Sequence, residues 1–334
     1  MNNLSAVLRA PGDVRIESCP VPAPAPGEVL VHVRAVGICG SDVHYYEHGR
    51  IGEYVLDGPM VIGHEAAGTI VEAGSEVDSE RVGETVALEP GIPCRNCRQC
   101  LTGRYNLCPD VVFFATPPVD GATSTYVTID ACFAHRAPAG LSFEQAAMAE
   151  PVSVGVWAVR TARISSGDRV LVTGAGPIGL YAAQVARASG ADRVLVTDYN
   201  EFRLRIARSL GLDVTTADQV DEPDFDALLE CSGAPAALTE GLKHLAPAAR
   251  AVLVGMGSDE VPVDVGLLQR KELSITGTFR YANTYPAALR LIANGAVNVS
   301  AAITHRFDIQ QTEDALTLSR RDRESLKAVV VPPG

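Results

Sequence analysis

Four cysteines fall within fifteen residues, spaced Cys94-x2-Cys97-x2-Cys100-x7-Cys108. Thiolates at this spacing close a tetrahedral shell around a zinc ion and leave no position for a substrate. The cluster therefore reads as a structural metal site that ties a lobe together. Cys19, Cys132 and Cys231 have no such neighbours in sequence and read as small packing residues. A second set is dispersed. Cys39 lies in Gly37-Ile38-Cys39-Gly40-Ser41-Asp42-Val43-His44-Tyr45, with Ser41 and His44 two and five residues beyond it. His64 and Glu65 are adjacent in a glycine-bounded turn, and Glu150 stands just before Pro151. Each of these has an ordinary reading as a core residue or a surface charge. Together they supply the sulfur, nitrogen and oxygen ligands of an open, catalytic zinc site.

The third set is Gly174-Ala175-Gly176-Pro177-Ile178-Gly179, which follows the apolar run Val170-Leu171-Val172 and opens a helical pattern. Glycines in this context allow a tight turn and close backbone approach to a pyrophosphate at a helix N-terminus. Asp198 follows Gly179 by nineteen residues, at the end of the next apolar run. A carboxylate there accepts from the adenosine ribose and repels a 2′-phosphate, which favours NAD over NADP. Arg203 and Arg205 count the other way or as solvated helix charges, and Arg203 is placed to lie over the adenine.

These residues need two kinds of scaffold. The first 150 residues read as mostly β, with an alternating run at 28–34 and further short strands at 68–72, 82–87 and 124–129, set between Gly and Pro, which predicts a barrel-like β domain. A long helix is predicted over 143–162, interrupted at Pro151. Strand and helix then alternate: strands at 170–173, 194–197, 226–230 and 251–255, helices at 177–189, 201–210 and 235–246. That alternation predicts a doubly wound parallel sheet. A helix near 286–294 and a short β/α tail follow.

The 334 residues suit two domains at about 150 residues each. Hydrophobic residues make up 47%, enough for packed cores. A net charge of −12 disfavours nucleic acid and anionic membrane surfaces as partners. No apolar stretch reaches the roughly 18 residues of a spanning helix. Residues Met1 to Leu4 show no basic region followed by an apolar core, so a signal peptide is not expected and the cytoplasm is the expected compartment.

With these motifs in hand, the chain resembles the zinc-dependent medium-chain dehydrogenases, and within them the polyol branch typified by sorbitol and xylitol dehydrogenases. The stretches that carry the resemblance are 37–52, 59–74, 94–108, 115–121, 149–155, 172–180, 230–235 and 277–286. It implies a GroES-like β domain of 1–151 plus 281–334 and an inserted Rossmann domain of 152–280. It implies Cys39 and His64 as zinc ligands, with Glu65 as the usual third and Glu150 beside the metal-bound water; which carboxylate binds in a given state stays open. It assigns Tyr45, Glu150, Arg280 and Tyr281 to a polyol pocket, and Ser41 and His44 to a proton relay. Val254, Gly255, Met256, Thr278, Phe279 and Arg280 would border the cofactor, with Gly174, Gly176, Ile178, Gly179, Asp198 and Arg203. The expected cofactors are NAD and two zinc ions, the expected reaction is oxidation of a polyol to a ketose, and the expected assembly is a homotetramer. Trp157 departs from the pattern, standing where a His is common. A different secondary alcohol or threonine as substrate, a zinc-free quinone-reductase-type member, and a non-catalytic crystallin-like role are the rival readings; the zinc ligands and cysteine lobe speak against the second, and an open metal site beside a closed one against the last.

Overall fold

In the strand Glu28–Gly37, valine, leucine and alanine side chains fill both faces: Val29, Val31, Val33, Ala35 and Val36 are all fully buried. Such a strand belongs at the centre of a sheet. In the computed structural model, which describes residues 2–333, this strand pairs antiparallel with Glu65–Ala73, Tyr126–Asp130 and Lys327–Val331. Thr85–Leu88, Ala134–Arg136 and Ile303–Asp308 extend the same sheet, giving seven strands among the described residues. Val31, Val33, Ile70, Val86, Leu88 and Val127 form the core on one part of it. The outcome is the β unit that the sequence predicts, with one strand passing through neighbours from both ends of the chain.

The second unit is a parallel sheet of six strands among the described residues, in the spatial order Asp213–Thr215, Arg193–Thr197, Arg169–Thr173, Phe225–Glu230, Leu245–Leu253, Ser274–Gly277. In chain order this is 3-2-1-4-5-6, the doubly wound arrangement, with its switch point beside Arg169–Thr173. Helix Pro177–Ala188 buries Leu180, Tyr181, Ala182 and Ala183.

Three sequence expectations shift. The units divide at Glu150/Pro151, and the chain rejoins the β unit at Ile303, where the sequence reading has 281. The reason is packing. Helix Tyr285–Ala293 buries Tyr285, Ala288, Leu289 and Ile292. The Asn298 amide donates to Gln184 Oε1 at 2.8 Å, and Arg160 donates to the Asn283 carbonyl at 2.9 Å, both within the parallel-sheet unit. The predicted break at Pro151 is absent: Phe143–Ala147 and Ala149–Thr161 are separate helices meeting at Met148. Pro151 sits in the first turn of the second helix, where a missing N–H costs no intrahelical bond. The helix predicted over 235–246 ends at Lys243, and the strand after it starts at Leu245.

Candidate metal centres and dinucleotide cradle

Cys39 immediately precedes helix Gly40–His48. Three residues into the turn, Asp42 folds back: its Oδ2 accepts from the Cys39 amide at 2.9 Å and its Oδ1 accepts from the Gly63 amide at 3.0 Å. Asp42 Oδ1 also lies 3.6 Å from His64 Nδ1. One buried carboxylate thus fixes the helix start and the Gly63-His64 turn against each other, bringing Cys39 and His64 together. Glu65 opens strand Glu65–Ala73 and pairs with Gly37 across the sheet. The ligating atoms of Cys39, His64 and Glu65 all lie within 4.8 Å of one another. Sulfur, imidazole nitrogen and carboxylate oxygen, three in number with a further position open, suit a catalytic zinc ion.

The electrostatics here are strong because Asp42, His64, Glu65 and Lys327 are buried. Burial works against a charged His64, yet attraction to Asp42 prevails and holds the imidazole well above its ordinary value. Burial likewise opposes the charge on Asp42, and His64 with the Cys39 and Gly63 amides outweighs it, so this carboxyl lies low. Lys327 reaches the cluster from strand Lys327–Val331: its Nζ donates to Glu65 Oε1 at 2.7 Å, Glu65 Oε2 at 2.8 Å and the Ile38 carbonyl at 2.9 Å. Burial disfavours its charge, but Glu65, with smaller pulls from Cys39 and Glu150, keeps the ammonium above its ordinary value. Glu150 is buried but lies outside the three-residue cluster. On helix Gly40–His48, Tyr45 is buried, Ser41 half-buried and His44 exposed.

Cys94, Cys97, Cys100 and Cys108 form the other cluster. Their sulfurs approach to 3.4 Å for Cys97 and Cys100 and 3.9 Å for Cys94 and Cys100. Tetrahedral zinc at a Zn–S distance of about 2.3 Å needs sulfurs about 3.8 Å apart, so the set fits a closed zinc shell. The Cys94 amide points at Cys108 Sγ and the Cys100 amide at Cys97 Sγ. The Asn96 and Cys97 amides draw the Cys94 thiol down to about 7, whereas desolvation and the Cys97 thiol push Cys100 up to about 12. The lobe is tied to the β unit through Glu89, which is 2% exposed: Tyr105 donates to its Oε1 at 2.6 Å, and His135 Nε2 lies 2.6 Å from its Oε2.

In the parallel-sheet unit, Gly176 caps helix Pro177–Ala188. A Cβ added to Gly176 would meet nothing within 4 Å, so there is room for a ligand against the backbone. At Gly179 a Cβ would lie 1.8 Å from the Gly174 carbonyl, and only glycine permits that turn. Ile178 lies in the first turn of the same helix. Asp198 accepts from the Ala175 amide at 2.8 Å and the Asn200 amide at 2.8 Å, so it is fixed beside the glycine turn. Arg203 brings a guanidinium nitrogen to 3.7 Å from Asp198, and its Nε is buried with no hydrogen-bond partner among the described residues. The turn, the helix N-terminus and the carboxylate together fit a dinucleotide. Val254, Gly255 and Met256 follow strand Leu245–Leu253 directly; Thr278, Phe279 and Arg280 follow Ser274–Gly277. Tyr281 is 3% exposed and packs on Tyr285, with ring centroids 5.7 Å apart.

Asp42, Glu89 and Lys327 escape sequence reasoning. A carboxylate three residues after a helix-capping ligand is a visible capping pattern for Asp42. For Lys327 the one signal is a lone cation opening an apolar run.

Two family models match the chain: an alcohol dehydrogenase GroES-like domain over 25–139 and a zinc-binding dehydrogenase over 177–294. Human sorbitol dehydrogenase is 42% identical over 327 residues, covering 94% of this chain and 92% of the relative. Sorbitol dehydrogenase of Bacillus subtilis strain 168 is 41% identical, covering 99% and 98%. Among solved structures, a short chain alcohol dehydrogenase from E. coli CFT073 in complex with NADH is 31% identical with a TM-score of 0.92, covering 99% of each chain. Motifs, fold and relatives agree: the chain belongs to the zinc-containing medium-chain dehydrogenases and is similar to the sorbitol dehydrogenases.

Proposed function

We propose that the protein is an NAD-dependent polyol dehydrogenase that oxidises a secondary hydroxyl, most simply at C2 of sorbitol, xylitol or a related five- or six-carbon polyol, to the ketose. The observation that carries this reading is the Cys39, His64 and Glu65 donor set, half-buried at Cys39 and buried at the other two, in a chain similar to sorbitol dehydrogenases over nearly its whole length. When bound, zinc at that set supplies Lewis acidity toward the alcohol oxygen, and NAD accepts the hydride. The protein's own residues divide the remaining work. Cys39, His64 and Glu65 hold the metal, with Glu150 close at hand. Ser41 Oγ and the His44 ring pass the hydroxyl proton outward along one helix, from half-buried to exposed positions. Tyr45, Glu150, Arg280 and Tyr281 take the remaining hydroxyls. Gly174, Gly176, Ile178 and Gly179 cradle the pyrophosphate, while Asp198 accepts from the ribose and repels a 2′-phosphate. Arg203 flanks the adenine, and backbone at Val254, Gly255, Met256, Thr278, Phe279 and Arg280 borders the rest of the cofactor. Cys94, Cys97, Cys100 and Cys108 hold a second, structural zinc. The working assembly on this reading is a homotetramer, checked by light scattering.

Polar groups in a pocket discriminate strongly, because a ligand without matching hydroxyls leaves them unpaired. A hydrogen bond to a charged group contributes about 1.5–3 kcal/mol. The test is kcat/KM for a panel of polyols and simple secondary alcohols with NAD and NADP. Polyols with NAD should lead, and Arg280→Ala should lower polyol kcat/KM at least tenfold while 2-propanol turnover stays as poor as before. Equal turnover of 2-propanol and every polyol, or preference for NADP, would sink the reading.

A further inference from the structure

Lys327 and Glu65 form an ion pair almost wholly removed from solvent: their side chains are 4% and 0% exposed. The ammonium has three donors and three protein acceptors, two on Glu65 and one on the Ile38 carbonyl. It therefore has no valence left for substrate, water or cofactor. A buried pair of this kind is weak evidence for stability, since apolar side chains of similar volume often hold a core as well. The residues that follow it, Ala328, Val329 and Val330, are apolar and buried. A charge at the head of this strand calls for a reason, and its partner is one of three potential metal ligands. The approach is also prepared on the strand between them. Gly37 pairs with Glu65 on one side and Val329 on the other. A Cβ at Gly37 would fall 2.0 Å from Glu65 Oε2, so the carboxylate occupies the place of the missing side chain.

We propose that Lys327 is a positioning residue of the catalytic metal centre, gripping both oxygens of Glu65 and thereby loosening that carboxylate's hold on a cation seated with Cys39 and His64. This rests on reading those residues as the zinc site. A carboxylate whose two oxygens both accept from an ammonium has less electron density for a metal, and its orientation is fixed by the protein. The consequence is a third ligand that is present but weak, which leaves the open position available for exchange. Glu65 is thus tuned from the far end of the chain, and Lys327 acts on the metal through it.

The experiment is zinc release from the loaded protein to the chromogenic chelator 4-(2-pyridylazo)resorcinol, with the four-cysteine zinc as a slow internal reference. In Lys327→Met, the faster-released zinc should leave at least fivefold more slowly than in wild type. In a Glu65→Gln background the same substitution should change the rate twofold or less, because there is no carboxylate to loosen. Lys327→Gln, which keeps hydrogen bonding and removes the charge, should follow Lys327→Met. Unchanged or faster release in these variants overturns the proposal, and so does the same slowing in both backgrounds, which would mean direct repulsion between ammonium and cation. Failure of both Lys327 variants to fold also overturns it, by making the ammonium a requirement of the fold. A wild-type protein with only slowly released zinc would instead remove the metal reading of Cys39, His64 and Glu65 itself.

Discussion

Gly37 owes its size to a residue on the next strand. A methyl group there would lie 2.0 Å from Glu65 Oε2 and 2.7 Å from Met148 Cε. Both atoms are the ends of fully buried side chains, so an added methyl group must displace Glu65 or Met148 within the core. Gly37→Ala should therefore destabilise the protein by about 1–3 kcal/mol, the usual cost of overpacking, and turn Glu65 away from Cys39 and His64. The check is a thermal melt with zinc analysis: a lowered midpoint, and selective loss of the zinc that is not bound by the four cysteines. Retention of both zincs would show that the strand gives way elsewhere. At this scale the sequence is legible where partners are close in the chain. The four cysteines announce themselves by spacing. Cys39 and His64 become ligands through the resemblance, because singly each passes for an interior residue. Asp42 lies inside the same stretch, and its local capping position does not announce its contact with the Gly63 amide, 21 residues away. Lys327 is 262 residues from Glu65, and no local pattern connects them.

Among the elements, the parallel sheet is held at its strand starts by a carboxylate that lies outside any strand. Glu222 Oε2 accepts from Arg169 and from Arg193 Nε, each at 2.8 Å, and Arg193 Nη2 bonds its other oxygen. The bonds from Arg193, then those from Arg169, hold the Glu222 carboxyl below its ordinary value of 4.5 against a partial burial cost. A group with a depressed folded value contributes stability above its unfolded value and loses it as pH falls through the folded one. Glu222→Gln should cost about 1 kcal/mol at pH 7, a modest figure because the cluster is partly solvated. The deficit should shrink steadily below about pH 4.5. Urea melts of both proteins across that range give the answer; a deficit that is constant with pH would mean that shape, not charge, is what Glu222 supplies. Strand and helix order in this unit is legible in advance because each element buries its apolar residues with its own period. Pro151 misleads because proline is a breaker inside a helix and a neutral residue in a first turn, and sequence alone does not fix where the turn begins. The 281–302 segment is assigned to the wrong unit for a related reason: its helix is amphipathic, and an amphipathic face does not name the core it covers.

For the whole molecule, the two metal sets differ in closure, and that difference is measurable. Four cysteines leave no open position, whereas Cys39, His64 and Glu65 leave one. Dialysis against a chelator should remove one zinc per chain together with activity while the fold persists; removal of the second should lower the melting temperature, since a structural site contributes folding free energy. Loss of both in a single step would contradict the division. The β unit is also built from two stretches of chain, with the entire parallel-sheet unit between them. Strand Glu28–Gly37 meets Lys327–Val331 as one of its neighbours. During synthesis, which proceeds at about 5–20 residues per second, the parallel-sheet unit emerges as one continuous piece and is free to fold alone. The β unit must meanwhile wait with the Val36–Gly37 end of this strand unpaired on one side, where Lys327–Val331 will dock. Translational order therefore separates the two halves of this device: the ribosome delivers Cys39, His64 and Glu65 early and Lys327 late, so the candidate zinc ligands leave the ribosome before the lysine that grips one of them.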